Sequence, residues 1–85
     1  SRRRVIHLFG RNGEEYRFYK KMKDLLEEIS HTGNMFIRVH CSYVVNYYYI
    51  KSLSSTEAEL LTGEKLPVSG EYKNEALKKF MGMME

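Results

Sequence analysis

This chain has one cysteine, one proline and no tryptophan. Cys41 alone cannot close an internal disulfide, so a reducing, cytoplasmic setting is the natural reading. No apolar run approaches the length that a membrane helix needs. The N-terminal Ser-Arg-Arg-Arg passes directly into a strand pattern, without the apolar stretch of a secretory signal. Internal repeats, low-complexity segments and linkers are missing as well. So are Gly-rich phosphate loops and nucleophile elbows, and His7, His31, His40 and Cys41 have no paired-ligand spacing for zinc. Glu14, Glu15, Glu27, Glu28, Glu57 and Glu59 fall on expected turns and wet faces, which reads as solvated surface. The chain is therefore expected to be no enzyme and to carry no cofactor or metal.

What remains fits one small domain. Its 85 residues bury only a limited fraction of their surface, so marginal stability is expected. The hydrophobic content of 42% and charged content of 29% are ordinary for a folded chain. Seven Tyr and four Phe suit strands. Charge is unevenly spread. Residues 1–23 hold eight Lys and Arg against Glu14 and Glu15, a local +6 within a total of +3, so the other 62 carry −3. A concentrated basic end is the footprint expected of a protein that meets a polyanion.

The local patterns alternate between the two periods. Residues 4–9 read as a strand, Asn12-Gly13 as a type I′ turn, and residues 15–19 as the returning strand. Met22, Leu25, Leu26 and Ile29 repeat at helical spacing, and residues 30–34 end that helix. A strand over residues 35–40 follows, then a polar step, then an extended piece from Tyr43 into Leu53. Residues 54–56 form a turn. Residues 57–61 and 65–68 form a hairpin around Thr62-Gly63-Glu64, with Pro67 favouring an edge. Ser69 is expected to cap a last helix with Glu71 in its first turn and an apolar face of Leu77, Phe80, Met81 and Met84.

One run carries more than secondary structure. Phe36, Arg38, His40, Ser42, Tyr43, Val45, Asn46 and Ile50 fall in the order Phe-x-Arg-x-His-x-Ser-aromatic-x-Val-Asn, with Ile four residues after the Asn. This resembles the central signature of the LytTR-type DNA-binding domain, the output module of many bacterial response regulators. The order of hairpin, short helix, signature strands, hairpin and final helix is similar to that family's layout. The resemblance implies a mainly β fold with two short helices, built from small stacked antiparallel sheets. It also implies sequence-specific binding to duplex promoter repeats, two copies per site, as the output of a cytoplasmic transcriptional regulator. Family members usually open with one or two further strands, so the N-terminal strands are expected to be missing here. The receiver domain that typically precedes the module is also absent from these residues.

In that family three loops, rather than a recognition helix, enter successive major grooves. Carried over to this sequence, the first is Arg2, Arg3 and Arg4, whose planar forks suit guanine or phosphate. The second is His40-Cys41-Ser42, although Cys41 stands where relatives place a polar or basic side chain and cannot make a bidentate contact. The third is Ser69, Gly70, Glu71 and Lys73. Many relatives carry Arg or Lys just after that Ser, whereas Gly70 and Glu71 stand here and Lys73 is left for the backbone. Asn46 reads as a residue that fixes a turn. Cys41 beside His40 also invites a redox reading, against the plainer one of a small residue in a strand kink. Two further functions fit the pattern: a protein-interaction module of the same fold, suggested by Cys41, Gly70, Glu71 and a Met81-Met83-Met84 tail, and a single-strand binder using Tyr47-Tyr48-Tyr49.

Overall fold

Alternation along the first strand sets the layering. The computed structural model describes residues 4–31 and 35–83, and in it β1 (Arg4–Phe9) sends Ile6 and Leu8 to one face and Phe9 to the other. Next come β2 (Glu15–Lys20), α1 (Met22–Ser30), β3 (Phe36–His40) and β4 (Tyr43–Asn46). A 3₁₀ turn (Tyr47–Tyr49) leads into β5 (Ile50–Leu53), β6 (Glu57–Leu60), β7 (Lys65–Pro67) and α2 (Lys73–Met83). The first four strands form a sheet in the order β2-β1-β4-β3, and the last three a second sheet in the order β5-β6-β7. Every pairing is antiparallel except β1 with β4.

The first sheet is the middle layer. On one face Ile6, Leu8, Phe36 and Val44 meet Leu25 of α1, with Met22, Leu26 and Ile29 packed around them. The helical spacing of those four α1 residues is thus the face that is buried. On the other face Phe9, Ile37, Val39 and Val45 meet Ile50, Ala58, Leu60 and Leu66 of the second sheet and Ala76 of α2. Val44 and Val45 are adjacent yet both fully buried, as expected of a strand covered on both faces. Pro67 lies on β7, an edge strand, where its missing N–H leaves no gap in the ladder.

Both tight hairpins form, but the first is not the type I′ turn expected of Asn12-Gly13. No non-glycine residue among those described has positive φ, so Asn12 does not take the conformation that type requires. Instead Gly13 N–H donates to Gly10 O at 3.1 Å, Gly10 N–H donates to Glu14 O at 2.8 Å, and Gly13 alone has positive φ, at 89°. This is the three-residue loop with a left-handed glycine. Residues 60–64 repeat it, with Gly63 at φ 95°. The two glycines differ in surroundings. A Cβ on Gly13 would lie 2.9 Å from the Tyr49 hydroxyl oxygen, while one on Gly63 would meet nothing within 4 Å. Gly13→Ala is expected to cost about 1–3 kcal/mol and Gly63→Ala no more than about 1 kcal/mol, read from urea midpoints. Equal losses would show that strain in φ, and not the Tyr49 contact, sets the cost.

Two expected elements take a different form. The extended piece from Tyr43 is broken by the 3₁₀ turn at Tyr47–Tyr49, because the buried Asn46 accepts the Tyr48 N–H on its Oδ1 at 2.9 Å and bends the chain. Asn46 thus has the structural role expected of it. The three tyrosines therefore do not alternate across a strand. The last helix begins at Lys73, so Ser69 is not its cap; Ser69 Oγ accepts the Glu71 N–H at 3.2 Å in a separate turn before the helix. Its inner face runs through Ala76, Phe80 and Met83, while Met81 is 61% exposed. The expected face on Leu77, Phe80, Met81 and Met84 is thus rotated, with Phe80 alone kept on the inner face; Met84 lies outside the described residues. Ala76, too small to weigh in a periodicity count, faces β3 and lets the helix approach it.

Candidate nucleic-acid interface

The parallel pairing of β1 with β4 brings distant segments to one end of the first sheet. His7 is level with Tyr43, and the His7 N–H donates to Ser42 O at 2.7 Å. Both strands start at the same end, where β3 also finishes. The β3–β4 turn, Cys41 and Ser42, is therefore beside the start of β1. Arg4 lies three residues before His7, so its backbone extends roughly 10 Å past that level along the strand. The antiparallel partner of Arg4 is Lys20, at the end of β2. The strands β2, β1, β4 and β3 thus lie side by side over roughly 14 Å, close to the width of a B-DNA major groove, with the ends of β2 and β1 projecting past those of β4 and β3.

The third expected loop joins the same end through the outer side of β3. Ser69 N–H donates to Val39 O at 2.8 Å, and the turn closes with Tyr72 N–H on Ser69 O at 3.0 Å. Gly70 and Glu71 are exposed, and a Cβ on Gly70 would meet nothing within 4 Å. Lys73 opens α2 and is half-buried. Val68 N–H on Thr56 O at 3.0 Å ties residues 54–56 in beside it. His40, Cys41, Ser42, Ser69, Gly70, Glu71 and Lys73 are therefore drawn together. The backbone of Arg4 joins them, while its side chain and the whole of Arg3 lie outside the described residues.

The second loop has a definite donor arrangement. His40 is half-buried, and its Nδ1 accepts the Ser42 N–H at 3.1 Å. The neutral imidazole must then carry its proton on Nε2, leaving that N–H as the ring's donor. Tyr43 holds the ring between strands, with centroids 5.3 Å from His40 and 5.5 Å from His7. Cys41 Sγ sits 3.6 Å from His40 Nδ1. The thiol offers only weak hydrogen bonding.

His7 itself donates from Nδ1 to Glu15 Oε2 at 2.6 Å, with Arg17 Nε 3.5 Å from the same oxygen. The hydrogen bond from His7, reinforced by Arg17, holds the Glu15 carboxyl below its ordinary value of 4.5. A carboxyl so lowered contributes stability that is full above its unfolded-state value and is lost as pH falls through the folded one. The stability difference between the native chain and Glu15→Gln is therefore expected to shrink as pH drops from about 5 to about 3. Melting temperatures of both across that range check it; a constant difference would remove Glu15 from the acid response.

Sequence reasoning missed two side chains at this end. Lys20 ends β2 opposite Arg4 and Lys21 follows it; Lys20 Nζ pairs with Glu28 at 2.6 Å, and Lys21 is exposed. Both counted toward the basic N-terminal third, but only the register of β1 with β2 locates them. The tyrosines lie elsewhere. Tyr49 stacks on Phe9, Tyr47 packs on Phe80, and Arg11 covers Tyr48 at 4.7 Å. They do not present a row of rings on an open sheet face, which removes the support for a single-strand platform.

A family model described as the LytTr DNA-binding domain matches residues 1–81. No curated protein and no solved structure matches. No helix among the described residues is long and apolar enough to cross a membrane.

Proposed function

The chain belongs to the LytTR DNA-binding domain family, and on that premise we propose that it reads duplex DNA sequence-specifically as the output domain of a bacterial response regulator. The observation that carries this is the gathering of three separate segments at one end of the first sheet, whose four strands alone span about the width of a major groove. Arg4, the first residue of β1, and the preceding Arg3 bind phosphate or guanine. The His40 Nε2–H and the Ser42 hydroxyl donate to phosphate oxygens from the β3–β4 turn, and Lys73 contacts backbone from the start of α2. Two copies occupy repeated half-sites in a promoter. Phosphate contacts dominate affinity and make it steeply dependent on salt.

The exposed carboxylates Glu71 and Glu75 favour a second reading, a protein-interaction module on the same scaffold. Their charge opposes phosphate at the third segment. Fluorescence anisotropy with random duplex DNA, titrated from low to physiological salt, separates the two. Submicromolar binding that weakens log-linearly with salt supports the regulator. A folded protein that binds no duplex even at low salt would falsify it and leave the interaction module.

A further inference from the structure

The geometry points to Arg38 as the positioning residue of the turn at residues 69–73, acting through Tyr72 and Glu75 rather than on nucleic acid. This rests on the reading of that turn as DNA-facing. An Arg inside the signature run suggests a base reader, but only 27% of its side chain is exposed. Its guanidinium carbon sits 4.2 Å over the Tyr72 ring, and its Nη2 donates to Glu75 Oε1 at 3.0 Å. Tyr72 ends the turn that Ser69 opens, and the Tyr72 carbonyl accepts the Ala76 N–H at 2.9 Å in the first turn of α2. Ser69 in turn donates its N–H to the carbonyl of Val39, the residue after Arg38. One side chain from β3 thus holds both the end of the turn and the start of the helix, at the place where the backbone of β3 holds its beginning.

Arg38 keeps this position at a cost. Its Nε is buried with no hydrogen-bond partner among the described residues, which a fold rarely tolerates unless the group is held for another purpose. The residue type matters, because only a planar guanidinium can stack on a ring and donate in its plane to a carboxylate at once. Lys keeps the charge and loses that combination.

The test uses Arg38→Lys, Tyr72→Ala and Tyr72→Phe, with duplex affinity measured well below each melting temperature. Amide hydrogen exchange at Ser69 and Tyr72 is followed in the free proteins. Tyr72→Phe keeps the ring and is expected to bind within about twofold of the native chain, while Arg38→Lys and Tyr72→Ala bind about tenfold more weakly and exchange both amides faster. A contribution from charge alone would survive Arg38→Lys. Folded Arg38→Lys and Tyr72→Ala proteins that bind like the native chain would overturn the assignment. If Arg38→Lys fails to fold, Tyr72→Ala against Tyr72→Phe carries the comparison. Should the native chain bind no duplex, the DNA reading fails by itself, and amide exchange decides the clamp: unchanged rates in Tyr72→Ala refute it.

Discussion

Arg3→Ala/Arg4→Ala is expected to weaken duplex binding by about tenfold to a hundredfold near physiological salt, and to flatten the slope of log affinity against log salt by about two. The expectation comes from the register of β1. Pairing with β4 places the start of β1 beyond the level of the β3–β4 turn, so residues there lead the rest of the sheet end. Each phosphate left unneutralised keeps about one counterion that binding would otherwise release, which makes the slope the more diagnostic readout. Arg11→Ala/Arg17→Ala removes the same charge from the far turn and the middle of β2. It should lower affinity only weakly and leave the slope nearly unchanged. Equal effects of the two pairs would show that net charge, not the sheet end, drives binding.

Leu60→Ala is expected to cost about 2–5 kcal/mol. Leu60 is fully buried in β6, the middle strand of the second sheet, and packs in the cluster shared with Ile37, Val45 and Ala76. Its backbone also makes both hydrogen bonds that close the 60–64 turn, so the backbone there is poorly placed to relax into the gap. A domain of this size is stable by roughly 5–10 kcal/mol, so the variant sits near its unfolding threshold. Urea denaturation should show a lower midpoint with an unchanged slope. A loss under about 1 kcal/mol would mean that the two sheets are not held together by this cluster.

Several features were legible because they are local. The apolar spacing of Met22, Leu25, Leu26 and Ile29 sets the buried face of α1 whatever it packs on. Gly13 and Gly63 mark turns because few other residues accept positive φ. The exact turn type was not legible, since it depends on whether Asn12 also takes positive φ, and the hydrogen bonds of Gly10 decide that. The rotated face of α2 escaped the pattern for a related reason. Ala76 buries little apolar area, so it weighs less in a sequence than Met81, yet a small side chain is what permits close approach to β3.

The site divides in the same way. Sequence marked the signature run and the basic N-terminal third, and it named the segments around Arg4, His40 and Ser69. It could not show that they meet, nor that Lys20 and Lys21 lie beside Arg4. Arg38 was hardest to place, because an Arg two residues before a polar loop looks the same whether it faces solvent or lies over Tyr72. Local spacings were enough for the hairpins, the two helices and their order, and the run from Phe36 to Ile50 for the family, but not for the 3₁₀ break at Tyr47–Tyr49. Which strand ends converge was settled only by pairing in three dimensions. That depends on the parallel pairing of β1 with β4, residues more than thirty apart, which is stabilised by burial on both sheet faces and leaves no local periodicity.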